Sequence, residues 1–80
     1  MKLPRDLSGA ELAKKLSLLG YNTSRQTGSH LRLTTHEHGE HHLTIPNHPS
    51  LRVGTLAGIL NDVASHFEIS KDELVSRLVG

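Results

Sequence analysis

The spacing of apolar residues changes twice along this chain. Leu12, Leu16 and Leu19 recur at i, i+4 and i+7, the stripe of an amphipathic helix. Beyond Gly20 the period drops to two, with Leu31 and Leu33 and then Leu43 and Ile45 alternating with polar residues. From Leu56 the helical period returns in Leu56, Ile59, Leu60, Val63 and Phe67. A helix buries a stripe and a strand buries one face. A helix–strands–helix order in a chain this short therefore predicts an α+β fold, with helices covering one face of an antiparallel sheet.

Boundary residues sharpen this outline. Ser8 and Glu11 have the S-x-x-E spacing of a capping box, with Leu7 and Leu12 placed as a hydrophobic staple, and Gly20 is a natural stop. Lys14 and Lys15 fall off the apolar stripe and are expected in solvent. The strands are expected over Tyr21–Gln26, His30–Thr35 and Glu40–Ile45, joined by turns at Thr27–Ser29 and His36–Gly39. Pro46 ends the third, because proline cannot donate to a ladder. A loop over Asn47–Val53 leads to the second helix, for which Thr55 is the expected cap. A short third helix repeats the capping device with Ser70 and Glu73, and Ile69 and Leu74 as staple. Its apolar edge, Leu74, Val75 and Leu78, is left to face a partner. The result is an α-β-β-β-α order with a short C-terminal helix, read as a single domain over residues 1–80.

The chain has 80 residues and no cysteine, so neither a disulfide nor a thiolate site contributes. A domain of this size buries only about 60–65% of its unfolded surface, which leaves a narrow stability margin. The N-terminal stretch lacks the apolar core of a signal peptide, and no run approaches membrane-spanning length, so the expected location is cytoplasmic with no membrane partner. Formal charge is only +1, a weak signal for nucleic acid. Seven histidines make that balance pH-dependent, since a free imidazole titrates at about pH 6.5.

Strand alternation assigns faces. Leu31, Leu33, Leu43 and Ile45 point to the core, so His30, Arg32, Thr34, His42 and Thr44 point outward. That describes an open polar platform and not a deep enzyme cavity. Two readings of His30 stand on the residues alone. It is a surface histidine ending a turn, or it is a single general acid or base with Arg25 and Arg32 nearby to hold a phosphate. Ser29 does not make a hydrolase pair with His30, because neighbours along a strand point to opposite faces. No phosphate-binding loop occurs, and the two aromatics, Tyr21 and Phe67, form no stacking platform for bases.

The run "HEHGEHH" (His36–His42) raises a metal site, but His41 and His42 should point to opposite faces. A solvated turn is the preferred reading, with no metal assigned. His48 and His66 are structural or solvent-exposed by default.

Four stretches together resemble the HicA (YcfA-like) toxins of prokaryotic toxin–antitoxin pairs: "LPRDLSGAEL", "GYNTSRQTGSH", "IPNHPSLRVGTLAGIL" and "ISKDEL". The most specific pieces are R-x-x-G-S-H at Arg25–His30, P-x-H at Pro46–His48 and G-T-L-x-x-I-L at Gly54–Leu60. The resemblance implies a fold like the double-stranded RNA-binding domain and an mRNA interferase blocked by a HicB-like antitoxin. It implies His30 as the catalytic residue of a metal-independent endoribonuclease without cofactor or small-molecule partner. RNA contacts then fall to Arg25, Gly28, Ser29, Arg32 and His48. Relatives often carry a lysine where Thr27 stands, and many are more basic, so affinity for RNA is expected to be reduced. Two other readings compete: a non-catalytic RNA-binding or antitoxin-docking domain of the same fold, and a metal-binding protein built on the His36–His42 hairpin.

Overall fold

The computed structural model describes residues 6–79; the first three residues of the "LPRDLSGAEL" stretch, Leu3–Arg5, lie outside that range. Helix α1 spans Gly9–Leu16, strands β1, β2 and β3 span Asn22–Gln26, His30–Thr35 and His41–Pro46, and helices α2 and α3 span Val53–Phe67 and Lys71–Val79. The strands form one antiparallel sheet in the order β1-β2-β3. Helices lie against one face, giving the α+β, α-β-β-β-α architecture with an added C-terminal helix.

The capping box is present in full: Ser8 Oγ accepts from the Glu11 backbone, and the Ser8 backbone donates to the Glu11 carboxylate, both at 3.0 Å. The Ser8 backbone bond, then the Ser8 hydroxyl, hold that carboxylate below its ordinary range. The helix tightens into a 3-10 turn over Ser17–Leu19 and stops at Gly20, whose φ of +83° is left-handed. Leu19 consequently packs only partly against the core. Gly20 also lies close to Thr35 and Glu37, so its missing side chain makes room for the second hairpin.

The core gathers Leu7, Leu12 and Leu16 from the α1 region, Leu31, Leu33, Leu43 and Ile45 from the sheet, and Ile59, Leu60 and Val63 from α2. Tyr21 and Thr35 join them, each almost fully buried. The Thr35 hydroxyl donates to the Leu19 carbonyl and accepts from the Glu37 backbone, so its burial leaves no unsatisfied group.

Two expectations need correction. The second helix begins at Val53, with Arg52 as its cap and no side-chain hydrogen bond there, so Thr55 lies inside the helix. Arg52 has the extended backbone ordinary at an N-cap, and Leu51 before it is buried in the core. The apolar edge of α3 faces this chain and not a partner: Leu74 and Leu78 are buried in the same core. The His36–His42 hairpin is solvent-exposed over His36–Glu40, as a solvated turn is, and it is also docked on α2. His41 stacks on His66 of α2 with ring centroids 4.4 Å apart, and His38 meets both His66 and Phe67. His66 Nε2 donates to the carbonyls of Glu37 and Gly39, which clamps the hairpin tip to the end of α2. The boundary differences are smaller. β1 starts one residue late, leaving Tyr21 to the core, and β3 is shifted by one to take in Pro46 opposite His30.

Candidate active site

His30 opens β2 on the face of the sheet that the helices leave uncovered, and its side chain is exposed. Arg32 follows on the same face, about 7 Å further along at the strand repeat of two residues. Opposite Arg32 stand Arg25 on β1 and Thr44 on β3.

Arg25 reaches this face through an irregularity that alternation does not foresee. Thr23 pairs with Leu33 and Arg25 with Arg32, so the register shifts and Ser24 is left without a partner of its own. Unbroken alternation from Thr23 would have turned Arg25 to the helix side. The extra residue turns it outward instead, as a β-bulge does. Ser24 Oγ fixes the bulge by donating to the Arg32 carbonyl at 3.2 Å and meeting Thr34 Oγ1 at 3.1 Å. Thr34 in turn meets His42 Nδ1 at 2.8 Å, and His42 Nε2 meets Glu40.

Two arginines side by side repel one another, and neither joins an ion pair among the described residues. The arrangement favours an anion that bridges them. His30 lies at the end of that row.

The tip that presents His30 is built by Thr27. Its hydroxyl accepts from the backbones of Ser29 (3.4 Å) and His30 (3.0 Å), and its own N–H donates to the His30 carbonyl at 2.9 Å. Asn47 donates to the Ser29 carbonyl at 2.9 Å, tying the tip to the loop after β3. Gly28 has no left-handed φ, and a Cβ there would meet nothing within 4 Å. Its smallness is not demanded by the fold and leaves the surface beside His30 low.

Ser29 does meet His30, against expectation. Its Oγ lies 3.0 Å from Nδ1 of the imidazole. Alternation does not apply here, because Ser29 sits in the bend before β2 and not within the strand. His48 is exposed two residues beyond Pro46, and its carbonyl accepts from Gly9, which fixes the loop to α1. The residues read from the sequence as Arg25, Gly28, Ser29, His30 and Arg32 thus share one hairpin and its outer face. His48 belongs to the adjoining loop. Ser24 and Asn47 were missed, and Thr27 was read as part of the turn without its role in holding His30, which its hydroxyl two residues before a turn amide signals.

A shallow groove between α1 and β1, with Lys14, Thr23, Gln26 and Asn47 in its lining, lies on the helix side and contains neither His30 nor an arginine. Among the described residues no three His, Asp or Glu side chains are placed to hold one ion. Tyr21, His41 and Asp62 do form a hydroxyl–imidazole–carboxylate chain, at 2.7 and 3.3 Å. Tyr21 is buried, and its phenol is pushed up to about 12 by burial and by the Asp62 charge, so this chain braces the core.

Against known families, residues 9–64 match the HicA toxin of bacterial toxin–antitoxin systems. The chain belongs to the HicA toxin family. The matched span runs from the first residue of α1 into α2 and includes the whole sheet and every candidate site residue. Comparison with curated proteins and with solved structures gives no match. As a HicA toxin, the chain is the toxin half of a toxin–antitoxin pair. Among the described residues of the toxin no helix is long and apolar enough to cross a membrane.

Proposed function

We propose that this toxin is an endoribonuclease that cleaves mRNA with His30 as its proton-transfer group. The observation that carries the reading is the row on the uncovered face: an exposed imidazole beside two arginines that have no carboxylate partner among the described residues. Neutral His30 takes the proton of a ribose 2′-hydroxyl. The 2′-oxygen attacks the adjacent phosphorus in line, and the 5′-oxygen departs with a proton from water, leaving a 2′,3′-cyclic phosphate. Arg25 and Arg32 hold the non-bridging oxygens, whose charge grows in the transition state. Gly28 lets the RNA backbone approach, and Ser29 and His48 flank the scissile position. One positioned base contributes about 10²–10⁴ in rate. DNA lacks the 2′-hydroxyl and survives.

No step calls for a metal or other cofactor. The antitoxin, a HicB-like protein, covers the open sheet face and buries His30, and the pair works in the cytoplasm. The deciding experiment is RNA cleavage in EDTA by the native toxin and by His30→Ala, after both show the same melting curve. Cleavage by the native form alone supports the reading. RNA binding without cleavage by either form replaces it with a binding module of the same fold.

A further inference from the structure

We propose that Ser29 is a positioning residue for His30, holding the ring in the tautomer whose Nε2 is free to accept a proton. The inference rests on the reading of His30 as a base and deepens it.

The peptide joining the two residues is fixed from several sides. Thr27 Oγ1 receives both the Ser29 and His30 amides, the Thr27 amide donates to the His30 carbonyl, and Asn47 donates to the Ser29 carbonyl. Thr27 therefore already supplies the side-chain bonds that the turn needs. The Ser29 hydroxyl is left with a different partner, Nδ1 of His30 at 3.0 Å.

Geometry decides what that contact can do. A proton on Nδ1 donated to the serine oxygen leaves the Nε2 lone pair as the base. The same hydroxyl keeps its own hydrogen, which can be donated to an oxygen of the RNA. The opposite tautomer would have the hydroxyl donate to Nδ1, with Nε2 protonated and unable to take the 2′-proton. A substrate acceptor beside Ser29 favours the first arrangement, since it engages the hydroxyl hydrogen.

A hydroxyl is neutral, so it orients the ring without adding the charge stabilisation that a carboxylate gives. Loss of an orienting carboxylate behind a catalytic histidine costs about 10⁴ in rate. Loss of the Ser29 hydroxyl should cost far less, about tenfold in kcat.

The test combines two readouts on native toxin, Ser29→Ala and Ser29→Thr. Nitrogen-15 NMR of the His30 ring, with a non-cleavable 2′-deoxy analogue of the RNA bound, reports its tautomer, and cleavage of the RNA itself reports kcat and KM separately. Because Ser29 is exposed, the backbone amide spectra of the three forms should agree outside the turn that carries it. The expected result is a Nδ1-protonated majority in the native and threonine forms. Ser29→Ala should lose that preference and fall about tenfold in kcat, with threonine restoring it. An unchanged tautomer ratio in Ser29→Ala, or an unchanged kcat, overturns the proposal. If no form cleaves RNA, the reading of His30 fails on its own account, and the tautomer ratio alone decides the positioning.

Discussion

His38 and Glu68, the two non-glycine residues with left-handed backbones among those described, are hydrogen-bonded to each other at 2.8 Å. One sits at the tip of the second hairpin and the other at the C-terminal cap of α2. A left-handed backbone costs a residue with a Cβ about 1–2 kcal/mol, whereas an exposed ion pair returns about 0.2–1 kcal/mol. The strain outweighs the pair. Glu68→Gly should therefore raise stability by about 0.5–1 kcal/mol, while Glu68→Ala, which keeps the strain and loses the bond, should lower it. Urea unfolding of the two variants checks the opposite signs.

Gly9 and Gly28 should answer alanine differently. A Cβ at position 9 would overlap the Pro46 carbonyl and crowd Asn47, and both are backbone. Gly9→Ala should lose about 1–3 kcal/mol and loosen the loop carrying His48. Gly28→Ala meets open space and should stay within about 0.5 kcal/mol of the native toxin. A fall in RNA cleavage with an unchanged melting point would then report close approach of the RNA. Full activity in Gly28→Ala would remove Gly28 from the site.

Tyr21 gives the toxin an alkaline limit. Its phenol stands at about 12 in the fold against an ordinary 10, through burial first and the Asp62 charge second. The folded state therefore holds its proton more tightly than the unfolded chain does. Its contribution is complete below pH 10 and is lost as pH rises towards 12, about 2–3 kcal/mol in all. Tyr21→Phe should remove this alkaline step, at the cost of the bond to His41 at neutral pH. Melting temperatures between pH 8 and pH 12 would show a matching decline in both forms if the assignment is wrong.

Arg25→Gln and Arg32→Gln should weaken RNA binding and flatten its dependence on salt. Each lost phosphate contact lowers the slope of log K against log salt by about 0.7 on a single strand. Removing one of two facing like charges should leave the melting point level or slightly higher. Fluorescence anisotropy at several salt concentrations measures the slope. Unaltered slopes in both variants would remove the arginine pair from the RNA path.

Much of this architecture is legible in the residues because its causes are local. The capping box of Ser8 and Glu11 and the stop at Gly20 involve neighbours a few residues apart. The alternation of Leu31, Leu33, Leu43 and Ile45 is a property of the strand itself. His30 could be singled out because turn, strand start and outward face all follow from such rules. The bulge at Ser24 could not, since it depends on how β1 meets β2. The Ser29–His30 contact was misjudged by applying the alternation of a strand to a residue just outside it.

The histidine hairpin marks the boundary between the two kinds of information. Taken alone, "HEHGEHH" is a polar turn rich in ligand atoms, and nothing in its spacing tells where those atoms go. In the folded toxin His41 lies against His66, His38 reaches Glu68, and His42 joins the bonded chain on the outer face. The sequence by itself determined the elements, their order and the face that carries His30, since periodicity and capping act within a few residues. Only the tertiary structure decided that Arg25 joins Arg32, that the hairpin docks on α2 and that α3 closes the core. Those outcomes depend on contacts between residues distant in sequence, whose geometry no local pattern encodes.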